Sequence, residues 1–185
     1  MRFTAVFYEP NGRITSVQYN ATANVVGSRD YIQASFNGDP EDFYVANGEI
    51  LPKGEKPSAA HIFDYSSASW ALDIEEAKRQ AWNRIKSYRH SEEFGVFTWN
   101  SNSFQCDERS QARIMSAVQM AQIDSAVTMT WTLSDNTTKT FNGTELKQIV
   151  QAMFAHIDSC HTKARGKRLA INSATTQVEI EAITW

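Results

Sequence analysis

Hydrophobic positions along the chain change period near residue 73. Before it they alternate: Phe3–Tyr8 is aromatic and β-branched, Pro10-Asn11-Gly12 supplies turn chemistry, and residues 14–19 resume a period of two, which predicts a hairpin. A second hairpin is predicted where Phe43-Tyr44-Val45 and Glu49-Ile50-Leu51 flank Asn47-Gly48, because Asn-Gly accepts the positive φ angles of a type I′ turn. Residues 20–42, rich in Asn, Ser, Gly and Asp, are expected to be loop with a short strand near 31–36. Residues 52–69 hold Pro52, Gly54, Pro57 and several serines, a composition that predicts a linker or extended strap. The expected division is an N-terminal β module with its linker, 1–72, and a C-terminal α+β module, 73–185.

From Asp73 onward the period becomes helical. Ile74, Ala77, Ala81, Ile85 and Tyr88 fall three or four apart on one face, with charged residues mostly outside the stripe. Gly95 is expected to end this helix. Val96-Phe97-Thr98-Trp99 and Ser103-Phe104-Gln105 then form a hairpin around Asn100-Ser101-Asn102, and Asp107 caps a helix with apolar positions Ile114, Val118 and Ala121. The unit recurs: Met129-Thr130-Trp131-Thr132-Leu133, the turn Ser134-Asp135-Asn136, a strand over 137–141, and a long helix capped by Thr144. A short helix follows over 178–183, capped by Thr175 or Thr176. The fold class is α+β: antiparallel hairpins, then a hairpin-helix-hairpin-long helix module with a short C-terminal helix. Internal duplication and chance similarity both account for the repeat.

In the long helix, Leu146, Val150, Met153, Ile157, Cys160 and Ala164 are spaced 4, 3, 4, 3, 4, the alternation of a coiled-coil seam. Two readings stand: an amphipathic helix packed on its own sheet, or a self-association seam.

At 185 residues the chain can bury a sizeable core without disulfide or metal. A net charge of −3 gives no bulk electrostatic reason to expect nucleic acid or an anionic membrane as partner. The apolar opening breaks at Glu9-Pro10, too short for a signal core, and nowhere do eighteen apolar residues run together, so synthesis in the cytoplasm without membrane insertion is expected. Cys106 and Cys160 read as free buried thiols.

His156, Cys160 and His161 are the densest chemistry. His156 and Cys160, four apart, share a helix face, which permits a thiolate-imidazole pair or two metal ligands, but no further ligands lie at zinc-site spacing. Asp107-Glu108 reads as cap and dipole partner, and Asp39, Glu41 and Asp42 lack the terminal glutamate of a calcium loop. No phosphate loop or nucleophile elbow appears. No enzyme activity, cofactor or metal is therefore expected. The basic sets Lys163, Arg165, Lys167, Arg168 and Lys78, Arg79, Arg84, Lys86, Arg89 are expected near helix C-terminal turns. Trp70, beside the predicted linker, and Trp185, the last residue of the sequence, are the candidate partner-binding residues, each either docked in a groove or an anchor for a partner.

The succession Arg84…Arg89…Gly95…Phe104-x-x-Asp107-x-x-Ser110-x-x-x-Ile114, then Trp131…Asp135-Asn136…Thr144-Glu145-Leu146…Ala152-x-x-x-His156…Ala164…Ile171-x-x-Ala174-Thr175…Ile180-x-x-Ile183-x-Trp185, resembles an uncharacterised domain family of tailed bacteriophages and prophages, often the C-terminal part of tail-fibre-associated proteins. The front segment, with Phe43-Tyr44-Val45…Asn47-Gly48-Glu49-Ile50…Pro57…Phe63-Asp64…Trp70, looks like the opening of small phage tail-fibre and fibre-assembly proteins. The resemblance implies a non-enzymatic component of a phage tail, at the fibre, baseplate or tail tip, whose partners are fibre or baseplate proteins. The seam from Leu146 to Ala164 would favour a homo-oligomer; the resemblance alone implies that a trimer would suit fibre symmetry, and it implies carriage in the virion tail. The alternative it leaves open is a tail-fibre assembly chaperone absent from the virion.

Overall fold

The computed structural model describes residues 2–22 and 30–185, which fall into two compact units, Met1–Ile74 and Glu75–Trp185. Of the loop expected over 20–42, residues 23–29 lie outside the described residues. The fold is α+β, antiparallel hairpins followed by helices.

In the first unit β1 (Phe3–Tyr8) pairs antiparallel with β2 (Ile14–Ala21) on one side and β3 (Tyr31–Gln33) on the other. Alternation along β1 sends Ala5 and Phe7 to one face, with Ala21, Phe3 and Tyr31. Val6 goes to the other, with Ile14, Val45, Phe36, Phe43 and Ile50. Strands β4 (Phe43–Ala46) and β5 (Glu49–Pro52) turn through Asn47 (φ 51) and Gly48 (φ 80), the type I′ geometry that the dipeptide predicts. Val45 N–H donates to the Gly12 carbonyl at 2.8 Å. Gly12 has φ +91, and a Cβ there would stand 2.2 Å from the Val45 oxygen, so only glycine fits.

The predicted linker is corrected. Residues 52–69 contain β6 (His61–Asp64) and lead into β7 (Ser69–Leu72), a third hairpin in which Phe63 faces Trp70. Its serines are the turn: Ser66 and Ser67 hydroxyls both donate to the Asp64 carboxylate, at 2.7 Å each.

The second unit starts from α1 (Ile74–Glu93), which buries Ala77, Ala81 and Ile85 but leaves Tyr88, the last position of the predicted stripe, half exposed. Hairpin β8 (Val96–Trp99)/β9 (Asn102–Gln105) leads into α2 (Glu108–Ile123), capped by Asp107, which accepts from Ser110 N–H. Hairpin β10 (Thr128–Thr132)/β11 (Thr138–Asn142) leads into α3 (Gly143–Ser173). The cap of α3 is Asn142 rather than Thr144: Asn142 accepts from Thr144 and Glu145 N–H while Glu145 reaches back to Asn142 N–H. Thr176 and Glu179 repeat this capping box for α4 (Gln177–Glu181).

The two hairpin-helix units share one core. Phe97, Phe104, Ile114, Val118, Trp131, Phe141, Leu146, Ile149 and Met153 are buried together, with Phe104 and Phe141 rings 5.6 Å apart. Ser134 N–H donates to the Ser103 carbonyl at 2.9 Å and joins the hairpins.

Candidate functional site

The seam of α3 faces inward. Leu146, Met153, Cys160 and Ala164 are each 2% exposed or less, and Val150 and Ile157 pack against the Phe97–Met153 core. Of the two readings of Leu146, Val150, Met153, Ile157, Cys160 and Ala164, this burial favours the amphipathic helix packed within its own chain. The basic set Lys163, Arg165, Lys167 and Arg168 is also relocated. Because α3 runs on to Ser173, these residues sit in its interior and its last turn holds no basic residue.

Helix α1 runs antiparallel to α3. Lys78 Nζ donates to the Asn172 carbonyl at 3.1 Å, Arg168 stacks 4.9 Å from the Trp82 ring, and the C-terminal turn of α1 meets residues 156–163. Here Glu92 is the hub. Its carboxylate accepts from the Trp185 indole N–H and pairs with Lys163 at 3.4 Å, while Lys163 Nζ lies 4.3 Å above the Trp185 ring. The indole hydrogen bond, ahead of Lys163, holds the Glu92 carboxyl below its ordinary range. Trp185 is thus docked on its own chain. Glu93 is flanked by His161 Nε2 at 3.2 Å and Arg89 Nε at 3.5 Å, the latter an ion pair without hydrogen-bond geometry.

The His156 and Cys160 pair performs a structural task. His156 Nε2 donates to the Glu92 backbone carbonyl at 2.9 Å, in the last turn of α1, where that carbonyl also accepts from Gly95 N–H at 3.2 Å. The Cys160 thiol lies 3.9 Å from that same nitrogen, which already holds its hydrogen and cannot take another. Burial, followed by the nearby Glu92 charge, pushes the Cys160 thiol up; burial pushes Cys106 to about 11. Both thiols are protonated at neutral pH, the opposite of an activated nucleophile. Among the described residues no group of three or more His, Cys, Asp or Glu side chains could hold a metal ion.

Trp70 is likewise held. Its indole N–H donates to the Lys53 carbonyl at 3.1 Å, its ring meets Phe63 edge-on at 5.3 Å, and Lys56 Nζ lies 5.7 Å from it. It lines a broad cleft of about 1130 Å³ that carries both signs of charge, with Glu9, Arg13, Asp42 and Lys53 among its walls.

The feature that sequence reasoning missed lies between α2 and β10. Arg109, Ala112, Arg113, Ser116 and Met120, on one face of α2, face Met129, Thr130 and Trp131 across a groove of about 450 Å³. Arg113 stacks 4.9 Å from the Trp131 ring. Both arginines are exposed, and neither has a carboxylate partner among the described residues. Towards the C-terminal end of α2, Met120 and Ile123 stand in water, Ile123 at 80% exposure. Its signal in the sequence is Arg109 and Arg113 one helical turn apart, which form no run of basic residues.

Residues 76–184 match the family described as a domain of unknown function (DUF4376). Comparison with curated proteins and with solved structures returns no match.

Proposed function

The chain belongs to the DUF4376 domain family, and from that premise we propose that it is a non-enzymatic protein-binding component of a bacteriophage tail, at the fibre, baseplate or tail tip. The tail context is supported by the resemblance carried by the residue succession from Arg84 to Trp185. The binding role is carried by one observation: on the matched domain, α2 carries Arg109 and Arg113, which have no carboxylate partner among the described residues, and towards its C-terminal end the exposed Met120 and Ile123. Apolar side chains left in water together with arginine are the composition of a protein interface. A non-enzymatic role is supported by His156 and Cys160, whose polar atoms are committed to the end of α1 and to a protonated thiol.

The test is quantitative mass spectrometry of density-purified particles of the phage that encodes the chain. A fixed number of copies per particle supports the proposal, and a multiple of three or six assigns it to fibre or baseplate. Absence from particles, with the chain abundant in the lysate and co-purifying with fibre protein, overturns the structural role in favour of an assembly chaperone.

A further inference from the structure

We propose that the groove between α2 and β10 captures an extended, acidic segment of a partner protein, which adds to the free edge of β10 as a further strand. This deepens the protein-binding reading above and rests on it.

The first observation is the edge. The β10/β11 sheet has two strands, so β10 pairs with β11 on one side and, among the described residues, has no strand partner on its other. Successive side chains of a strand point to opposite faces. A groove lying on one face would be lined by alternate residues, yet Met129, Thr130 and Trp131 all line this one. A groove that meets three consecutive residues runs along the strand's edge, where unpaired backbone donors and acceptors are presented.

The second observation is room and lining. Opposite that edge, Ala112, Ser116 and Ala117 are small and leave room in the groove, and Met120 and Met129 line it with adaptable apolar side chains. An extended peptide brings backbone groups for the edge and alternate side chains for such a lining, the mode by which strands are added to exposed sheets.

The third observation is charge. Arg109 and Arg113 rim the groove without a carboxylate partner, although the chain as a whole is acidic at −3. An incoming segment with Asp or Glu at the α2 side completes both guanidinium groups, whereas a basic segment meets repulsion from them. The unpaired edge, not the charge, argues against a helix as occupant. A helix has satisfied its own backbone and leaves the β10 edge unpaired.

A library of random peptides, displayed and selected against the full-length protein, tests this without reference to any phage particle. Selected sequences are expected to be acidic and to alternate apolar with polar residues. A synthetic peptide from the winning group is expected to protect backbone amides within Thr128–Thr132 from hydrogen exchange, by the new ladder bonds. Charge reversal at both arginines, Arg109→Glu with Arg113→Glu, is expected to weaken it by roughly tenfold or more. The side chains of both are solvent-exposed, so circular dichroism should show the variant folded. Selection of basic or helical peptides, of peptides protecting amides elsewhere, or of none that distinguishes the charge-reversed variant overturns the proposal, as does a second copy of this chain occupying the edge. The particle measurement is independent of this outcome, so failure of one leaves the other readable.

Discussion

Truncation of Met153 separates the two meanings an apolar seam can have. Met153 is 1% exposed and sits in the core with Phe97, Phe104, Phe141 and Ile149. Met153→Ala removes three methylene-sized groups, about 2.4 kcal/mol at ~0.8 kcal/mol each. A residual cavity of about 60 Å³ adds about 1.5 kcal/mol at ~24 cal/mol per Å³. The sum, about 4 kcal/mol, lies inside the measured range of roughly 2–5 for such changes. In a unit the size of residues 75–185, about 4 °C per kcal/mol places the drop in Tm near 15 °C. Thermal melts read by the helical circular-dichroism signal, at two protein concentrations about tenfold apart, check this. Inward packing predicts the full drop and melting temperatures that do not depend on concentration. A variant that melts where the parent does, alongside a parent whose Tm rises with concentration, would show that the seam is shared between copies and refute the reasoning.

Three further outcomes are expected. Gly12→Ala loses about 1–2 kcal/mol to the left-handed backbone alone, and its Cβ must also push the Val45 carbonyl away from 2.2 Å. The Val45 amide should therefore lose its hydrogen-exchange protection, and unchanged protection would contradict the close approach. Because the Glu92 carboxyl titrates below its ordinary value of 4.5, Trp185 docking is fully present above that pH and is lost as pH falls through the lower folded value. The indole N–H resonance of Trp185 should shift on acidification, and Glu92→Gln should abolish the titration; a shift retained in the variant would assign it to another group. Finally, Cys106 and Cys160 should resist a thiol reagent at neutral pH until denaturant is added, since both are buried and protonated. Rapid labelling of the native protein would reverse the account of His156 and Cys160.

Local chemistry was legible wherever the deciding atoms are close in sequence. Asn47-Gly48 dictated its own turn, and Asp107 its own cap, because donor and acceptor lie within three residues. Asn142 is legible in the same way, through Glu145 three residues on, although Thr144 offers a competing capping side chain two positions later. Spacing along α3 identified which side is apolar and said nothing of what covers it, since Phe97 and Phe104 lie some fifty residues earlier. The third hairpin was hidden by composition. Serines and prolines dominate residues 52–69, while the stabilising contacts are aromatic pairs such as Tyr44 with Phe63 at 5.0 Å, across nineteen positions. Trp185 and Glu92 are 93 residues apart, beyond any local rule. The groove escaped because its two walls come from different hairpin-helix units.

Asn142 is at once the last residue of β11 and the cap of α3, with the wholly buried Phe141 just before it and Gly143 just after, where an added Cβ would come within 3.2 Å of Ala121. No residue between strand and helix is free to rotate. The joint is therefore a stiff elbow, and the 31 residues of α3 form an arm about 46 Å long at 1.5 Å per residue. A load borne by β10 passes through its ladder with β11 into that arm without slack, so a tug at one end is felt as a tilt at the other.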